Sequence, residues 1–443
     1  MRLLKWLYPG MHIKRWLVLA TAGVLVFGMG SALLTAQASF LVRAASLAML
    51  VFGIAAVIAG VVGTVRSLLD VVSPQPQREL VDVVFQRRHL DKGPKLVVIG
   101  GGTGLSTLIH GLKAYTTRIT AIVTVADDGG SSGRLREEFG VLPPGDIRNC
   151  LVALADAEPL MQDLFQYRFA PESALRGHNF GNLFITAMTQ ITGDFERAIQ
   201  ASSRVLNIRG RVIPSTCTAV RLVAEHEDGS VTVGESRISQ APLPIRRLYL
   251  EPAAPPPTQE ALAAVREADA VILGPGSLYT SIIPNLLVDG LAAAIVQAKA
   301  LKLYVCNVMT QFRETTDFKA SDHVRALVAH TNPGMLQVCV VNTKPVPSEL
   351  LEKYRHEQAY PVEADVETIR RLGYQVVAED VISATNYVRH DADRLARLII
   401  DLTTGARRLP TPTGTPSQAS WSRDGARASA EPARSASAHP AAV

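Results

Sequence analysis

The sequence predicts an α/β protein: a doubly wound, mostly parallel sheet with a small β-hairpin insertion, preceded by two transmembrane helices. Three observations carry this reading. Residues 16–36 and 44–65 are uncharged runs of 21 and 22 residues, each long enough to cross roughly 30 Å of hydrocarbon as a helix. Between residues 95 and 402, short apolar runs alternate with helical patterns, as parallel strands joined by crossover helices require. Within that stretch, Asp228-Gly229 lies between alternating segments over 219–236 and marks a hairpin.

Composition bounds the function. With 47% hydrophobic and 19% charged residues among 443, the chain has ample material for a core and is not disordered throughout. The net charge of +5 sits at the ends. Residues 1–69 hold basic residues and no acidic one, 406–443 are mostly basic, and the stretch between has a small acidic excess. A nucleic-acid-binding surface needs a basic cluster that this central region lacks, so that class is excluded.

The organisation follows in chain order. Residues 1–69 form a membrane hairpin with spans 16–36 and 44–65, joined over 37–43. Arg2, Lys5, Lys14 and Arg15 precede the first span, and Arg66, Arg78, Arg87 and Arg88 follow the second, with Arg43 alone between. Both ends therefore face the cytoplasm, which makes this a two-pass cell-membrane protein with its main domain in the cytoplasm. A signal peptide is the competing reading, since Thr35-Ala36-Gln37-Ala38 imitates a cleavage site. The first run exceeds an h-region of 7–15 residues and a second span follows it. Gly23, Gly28, Gly30, Gly53, Gly60 and Gly63 either pack helix on helix or reflect the abundance of small residues in membrane spans. Residues 70–93 read as a linker, 94–404 as the soluble domain, and 405–443, rich in Pro, Thr, Ser, Ala and Arg, as a disordered tail.

Strands are expected at 96–99, 119–125, 270–273, 303–305, 336–341 and 374–377. Leu105, Leu108, Ile109 and Leu112 at helical spacing follow the first, and a last helix from Asp391 turns Leu395, Leu398, Ile399 and Leu402 to one face. Cys150, Cys217, Cys306 and Cys339 are far apart and form no C-x-x-C pair, so neither zinc nor a disulfide framework is indicated. Three of them lie in apolar runs and read as core.

Chemistry concentrates where strands end. Strand 96–99 runs into Gly100-Gly-Gly-Thr-Gly104 and then a helix, so glycine lets backbone approach a ligand while the helix N-terminus offers N–H groups to an anion. Leu105 and Thr107 rule out G-x-G-x-x-G, and no lysine follows as a Walker A loop would need. The second strand ends in Asp127-Asp128-Gly129-Gly130-Ser131-Ser132-Gly133. There Asp127 and Asp128 suit a sugar hydroxyl or a divalent cation, with an ordinary turn as the alternative. In 142–149, Asp146 reads first as a helix N-cap, with ligand contact as the alternative. His178 could serve as a general base, although a histidine beside Asn179 and Asn182 is more often a hydrogen-bonding residue. A second glycine loop, Gly274-Pro-Gly-Ser277-Leu-Tyr279-Thr-Ser281, follows strand 270–273. It would share a crevice with the first if the two strands are neighbours. Asn307 and Asn342 end later strands and either line that edge or cap.

Five ordered motifs, at 100–104, 125–133, 143–148, 177–182 and 274–281, resemble those of the gluconeogenesis-factor family, relatives of the 2-phospho-L-lactate transferase that makes coenzyme F420. The resemblance covers 94–404 and leaves aside the hairpin and tail, which compact family members lack. It implies a Rossmann-like, CofD-like domain that binds UDP-N-acetylglucosamine or another nucleotide. It also implies a role in cell shape and wall synthesis during gluconeogenic growth. Carried over by position, Gly101, Gly102, Thr103, Gly104, Asp127, Asp128, Gly130, Ser131, Ser132, Asn179, Asn182, Gly274, Gly276, Ser277 and Tyr279 would line the UDP-sugar site. Asp127 and Asp128 are the candidates for Mg²⁺, and no catalytic residue is assigned. One departure is visible: the family pattern has Pro-Gly where this chain has Phe312-Arg313 before Glu314. The leading expectation is a membrane-anchored UDP-sugar-binding regulator with a cytoplasmic protein partner in wall or central metabolism, and with homo-oligomerisation open. The rival is a transferase moving a phospholactyl group from a nucleotide carrier to an acceptor hydroxyl.

Overall fold

The computed structural model describes residues 14–35, 40–72, 90–156, 159–384 and 387–407. The expected tail from 408 and most of the linker, 73–89, lie outside the described residues. The chain divides into two units, Met1–His89 and Leu90–Val443.

The first unit contains helices Lys14–Thr35 and Phe40–Val72, both long and apolar enough to cross a membrane. The second helix differs from its expected span. It starts at Phe40, so Arg43 belongs to the helix and not to the connection, and it continues to Val72 into the stretch read as linker. An apolar run marks only the membrane-buried part of a helix, and backbone hydrogen bonding carries it further. Glycines set the closest approach of the pair: a Cβ at Gly60 would lie 2.6 Å from Ala20 N, and one at Gly53 2.7 Å from Phe27 N. Gly23, Gly30 and Gly63 are equally confined, whereas Gly28 meets nothing within 4 Å. Packing thus accounts for five of the six glycines.

The second unit is built on seven parallel strands: β1 (Leu96–Gly100), β2 (Ile119–Val123), β3 (Arg211–Pro214), β7 (Ala270–Leu273), β8 (Leu301–Val305), β9 (Val338–Asn342) and β10 (Gln375–Glu379). Their order is β10-β9-β8-β7-β1-β2-β3, and every pairing is parallel. The central strands are buried along their whole length, as a sheet covered on both faces demands. Helix Gly102–Leu112 covers one face with Leu105, Leu108, Ile109 and Leu112. Helix Ala392–Thr404 packs against it, capped by the Asp391 carboxylate. Cys150, Cys306 and Cys339 are buried, and Cys217 is exposed.

Two features go beyond the expectation. β3 is the edge strand, only four residues long and ending in Pro214, whose missing N–H is tolerable only at an edge. The hairpin proves to be two strands of a three-stranded antiparallel sheet: β4 (Arg221–His226), β5 (Val231–Val233) and β6 (Ile245–Glu251), in the order β5-β4-β6. Residues 235–238 form a short helix, so Ser236 is helical. A two-stranded ribbon, β11 (Ile382–Ala384) with β12 (Val388–His390), precedes the last helix.

Strand order reverses between β1 and β7. From β1 the chain builds outward through β2 and β3, and from β7 through β8, β9 and β10. Open α/β sheets bind ligands at such a switch point, outside the carboxyl ends of the strands.

The helix pair can be tested by cross-linking. A chain with Gly30→Cys and Met49→Cys is expected to form an intramolecular disulfide on mild oxidation, because a Cβ at 30 would sit 3.0 Å from that of Met49. Gly28→Cys with Met49→Cys is expected to stay reduced. Peptide mass analysis reads the difference, and equal cross-linking in both would contradict the packing.

Candidate functional site

Both glycine loops leave the sheet at the switch point, and they touch. A Cβ on Gly104 would lie 2.7 Å from the Pro275 carbonyl oxygen, and one on Gly276 would lie 3.2 Å from Gly101 O. Only residues without a side chain allow this apposition. Above it lies a cleft of about 670 Å³ lined by Gly101, Gly102, Thr103, Gly104, Asp127, Gly276 and Ser277 among the expected residues. The first loop enters helix Gly102–Leu112 with no side-chain cap from Gly101. The Gly102 N–H donates to the Asp146 carboxylate, which leaves the following N–H groups and the positive helix end facing the cleft. The second loop enters a π-helical turn, Leu278–Ile282, a distortion frequent at functional sites. Thr280 and Ser281 line the cleft beside it.

The remaining expected residues support these loops from behind. Asp128 accepts from the Ser236 N–H at 2.9 Å, which anchors the insertion. Asp127 accepts from the Gly129 N–H at 2.9 Å, and no group of three His, Cys, Asp or Glu forms a metal cluster among the described residues. Ser132 is buried and donates to Asp127, and Gly130 starts the helix Gly130–Phe139. Ser131 meets His178 Nδ1 at 3.2 Å, which gives His178 a structural bond and no place in the cleft lining. Asn179 caps helix Phe180–Thr192 through Asn182 N, and both asparagines are buried. Gly274 turns the chain out of β7 at φ +76°. Tyr279 is buried edge-on against Phe318 and His330.

Several lining residues escaped the sequence reading, whereas Asp146 lines the cleft in keeping with the second of its two readings. Asp146 sits inside its helix, whose N-cap position is Pro144, so it does not cap as expected and instead joins the first glycine loop. Glu235, Phe312, Glu357, Arg389 and His390 arrive from the insertion, the segment after β8, the region beyond helix Ser348–His356 and β12. Asn307 accepts from Gly276 N at 3.3 Å, and Gln311 Nε2 donates to Ser277 Oγ at 2.7 Å, so this segment braces the second loop. Asn342 instead closes its own turn, by donating to Lys344 O. Among the described lining residues Arg389 is the one permanent cation, since burial lowers the His390 ring to about 4.

Carboxyl groups dominate the rest of the wall. Burial pushes Glu235 up to about 8, helped by the charges of Asp127 and Glu314. Burial and then the neighbouring Asp127 raise Asp146 to about 6, against the Gly102 N–H and Arg148. Asp127 is raised by burial too, opposed by the Gly129 N–H and by Ser132.

The family model described as 2-phospho-L-lactate transferase CofD matches residues 96–382. The gluconeogenesis factor of Bacillus subtilis is 50% identical over 70% of this chain and 98% of its own length. The chain belongs to the gluconeogenesis factor family. A putative gluconeogenesis factor of Nostoc sp. is 48% identical over 91% of this chain and 93% of its own length. Less than a tenth of the chain is unmatched there, so whichever end is left out, the match takes in most of helix Phe40–Val72. A crystal structure of a UPF0052 family member from Bacillus halodurans shares the fold with a TM-score of 0.68 at 47% identity, covering 70% of this chain and 99% of that one.

The carboxyl groups predict a pH dependence. Glu235 and Asp146 hold their protons more tightly folded than unfolded, so their stabilising contribution is complete below the ordinary carboxylate range. It is lost as pH rises through about 6 and then about 8. Glu235→Gln should therefore raise the thermal midpoint of the full-length chain relative to the parent by an amount that grows from pH 6 to pH 9, above the range where buried histidines such as His390 contribute the opposite slope. Identical slopes would refute the assignment.

Proposed function

We propose that this member of the gluconeogenesis factor family is a membrane-anchored regulator that binds UDP-N-acetylglucosamine at the switch-point cleft and supports wall homeostasis and cell shape during gluconeogenic growth. One observation carries the reading: two glycine loops meet backbone to backbone on the floor of a single cleft. Its volume of about 670 Å³ falls within the range of small-molecule sites. A diphosphate would lie on the N–H groups of the first loop, with Arg389 as its cationic partner, while Ser277, Thr280 and Asn307 offer hydrogen bonds to uracil or sugar. Mg²⁺ on that diphosphate would be held by Asp127, with Asp146 behind it. Two helices of spanning length support the two-pass anchor, and the flanking Lys and Arg support a cytoplasmic domain. A cytoplasmic partner in wall or central metabolism would receive the signal.

A second reading has its own support, because the family model that matches 96–382 is described as a 2-phospho-L-lactate transferase. A transferase would move a phospholactyl group from a nucleotide carrier to an acceptor hydroxyl, and Asp127 or Asp146 would take the acceptor proton.

Calorimetric titration of the full-length chain in detergent with UDP-N-acetylglucosamine, with and without Mg²⁺, tests both. Saturable binding with ligand recovered intact by mass analysis is the expected outcome, and no binding would favour the transferase, whose nucleotide carrier bears a phospholactyl group that this ligand lacks. Gly104→Ala, which forces Pro275 away, should weaken binding at least tenfold, about 1.4 kcal/mol. Arg389→Glu should do the same. Unchanged affinity in both folded variants would remove the site.

A further inference from the structure

Beside the cleft, and sharing only the Phe312 wall with it, lies a second pocket of about 390 Å³. Its other walls are Pro242, Pro244 and Ile245 from the insertion, and Phe318 from the segment after β8. Phe318 is held rigidly, edge-on to Tyr279 at 6.3 Å and to His323 at 5.5 Å. Three carboxyl groups line the pocket, those of Glu227, Glu314 and Asp317, against one cation, Arg313.

Arg313 is already engaged. It adopts φ +73°, a backbone region costly for a side chain. Its guanidinium donates to Gln240 O and lies over the Phe312 ring at 5.0 Å. Glu314 is not satisfied. Its side chain is 6% exposed, Oε1 accepts from Ser239 Oγ at 2.9 Å, and Oε2 has no partner. Burial raises its affinity for a proton, as expected of a carboxyl group without a cation beside it. Among the described residues, no Lys or Arg forms an ion pair with Glu227, Glu314 or Asp317.

A buried carboxyl oxygen without a partner is costly until a donor reaches it. Aromatic and proline walls suit a hydrocarbon stem, and the acidic rim suits a positive head at its end. We propose that this pocket binds an organic cation, a primary ammonium on an apolar stem, supplied by a free amine or by a lysine side chain of a protein partner. The site is separate from the nucleotide cleft, so it stands whether or not that cleft binds UDP-sugars.

The test is calorimetric titration of the full-length chain in detergent with two probes: N-α-acetyl-lysine methylamide for the side chain and cadaverine for the free amine. The ε-acetylated form of the first is the neutral control. The expected result is saturable binding of at least one ammonium probe, none of the neutral control, and at least tenfold weaker binding to Glu314→Gln. Asp317→Asn, on the exposed rim, should weaken binding severalfold and keeps the test open should Glu314→Gln fold poorly by its thermal midpoint. The better probe identifies the source. No saturation by either ammonium probe, equal binding of the neutral control, or unchanged affinity in the folded variants would overturn the proposal.

Discussion

The contact between two stretches of bare backbone at the strand-order reversal is the constraint on which the rest depends. Gly104 against Pro275 O and Gly276 against Gly101 O require β1 and β7 to be neighbours. That adjacency exists only because the chain builds one half of the sheet outward from β1 and returns to build the other from β7. The same closeness leaves no room for a side chain over the loops. What faces the cleft there is main-chain N–H at a helix start, with the side-chain hydroxyls of Thr280 and Ser281 beside a π-helical turn. Such a floor is ordered before any ligand arrives, so little conformational entropy remains to be lost on binding.

The electrostatics above the floor oppose a simple anion site. Asp127, Asp146, Glu235 and Glu357 line the cleft, with Arg389 as the permanent cation among the described lining residues. If all four carboxyl groups were ionised, a diphosphate would be repelled. Burial and mutual repulsion instead hold Glu235 largely protonated near neutrality and Asp146 partly so. A protonated carboxyl group can donate to a phosphate or sugar oxygen where an ionised one cannot. The crowding of acids around the loops therefore makes some of them usable as donors.

The sequence was most legible where function and local structure share one signal. A strand running into glycines and then a helix is readable from spacing, and it located both loops, Asp127 and the switch point. It could not separate residues that line the cleft from those that hold the loops. Asp128, Ser131, Asn179, Asn182 and Tyr279 stand in the same motifs as the lining residues but are occupied by an N–H group, a histidine, a helix start and the core. Glu235, Arg389 and His390 were invisible for the opposite reason. They come from the insertion and a short ribbon, and only the closing of the whole domain carries them to the cleft. The edge strand β3 was missed because it is only four residues long, and the third insertion strand β6 because its seven residues mix buried and exposed positions without a continuous apolar run.

The insertion explains how the cleft tolerates the departure at Phe312-Arg313. Its short helix is tied to the first half of the site by Asp128 and Ser236. It is tied to the second half by Ser239 on Glu314 and by Gln240 on Arg313. A left-handed residue with a side chain is unfavourable by about 1–2 kcal/mol, and a charge-assisted hydrogen bond contributes about as much. The bond to Gln240 can therefore hold Arg313 in that conformation, and Phe312 forms the partition between two pockets. The insertion is thus a staple between the halves of the sheet edge, and a change at 312–313 alters the walls of both pockets while the glycine floor beneath stays as it is.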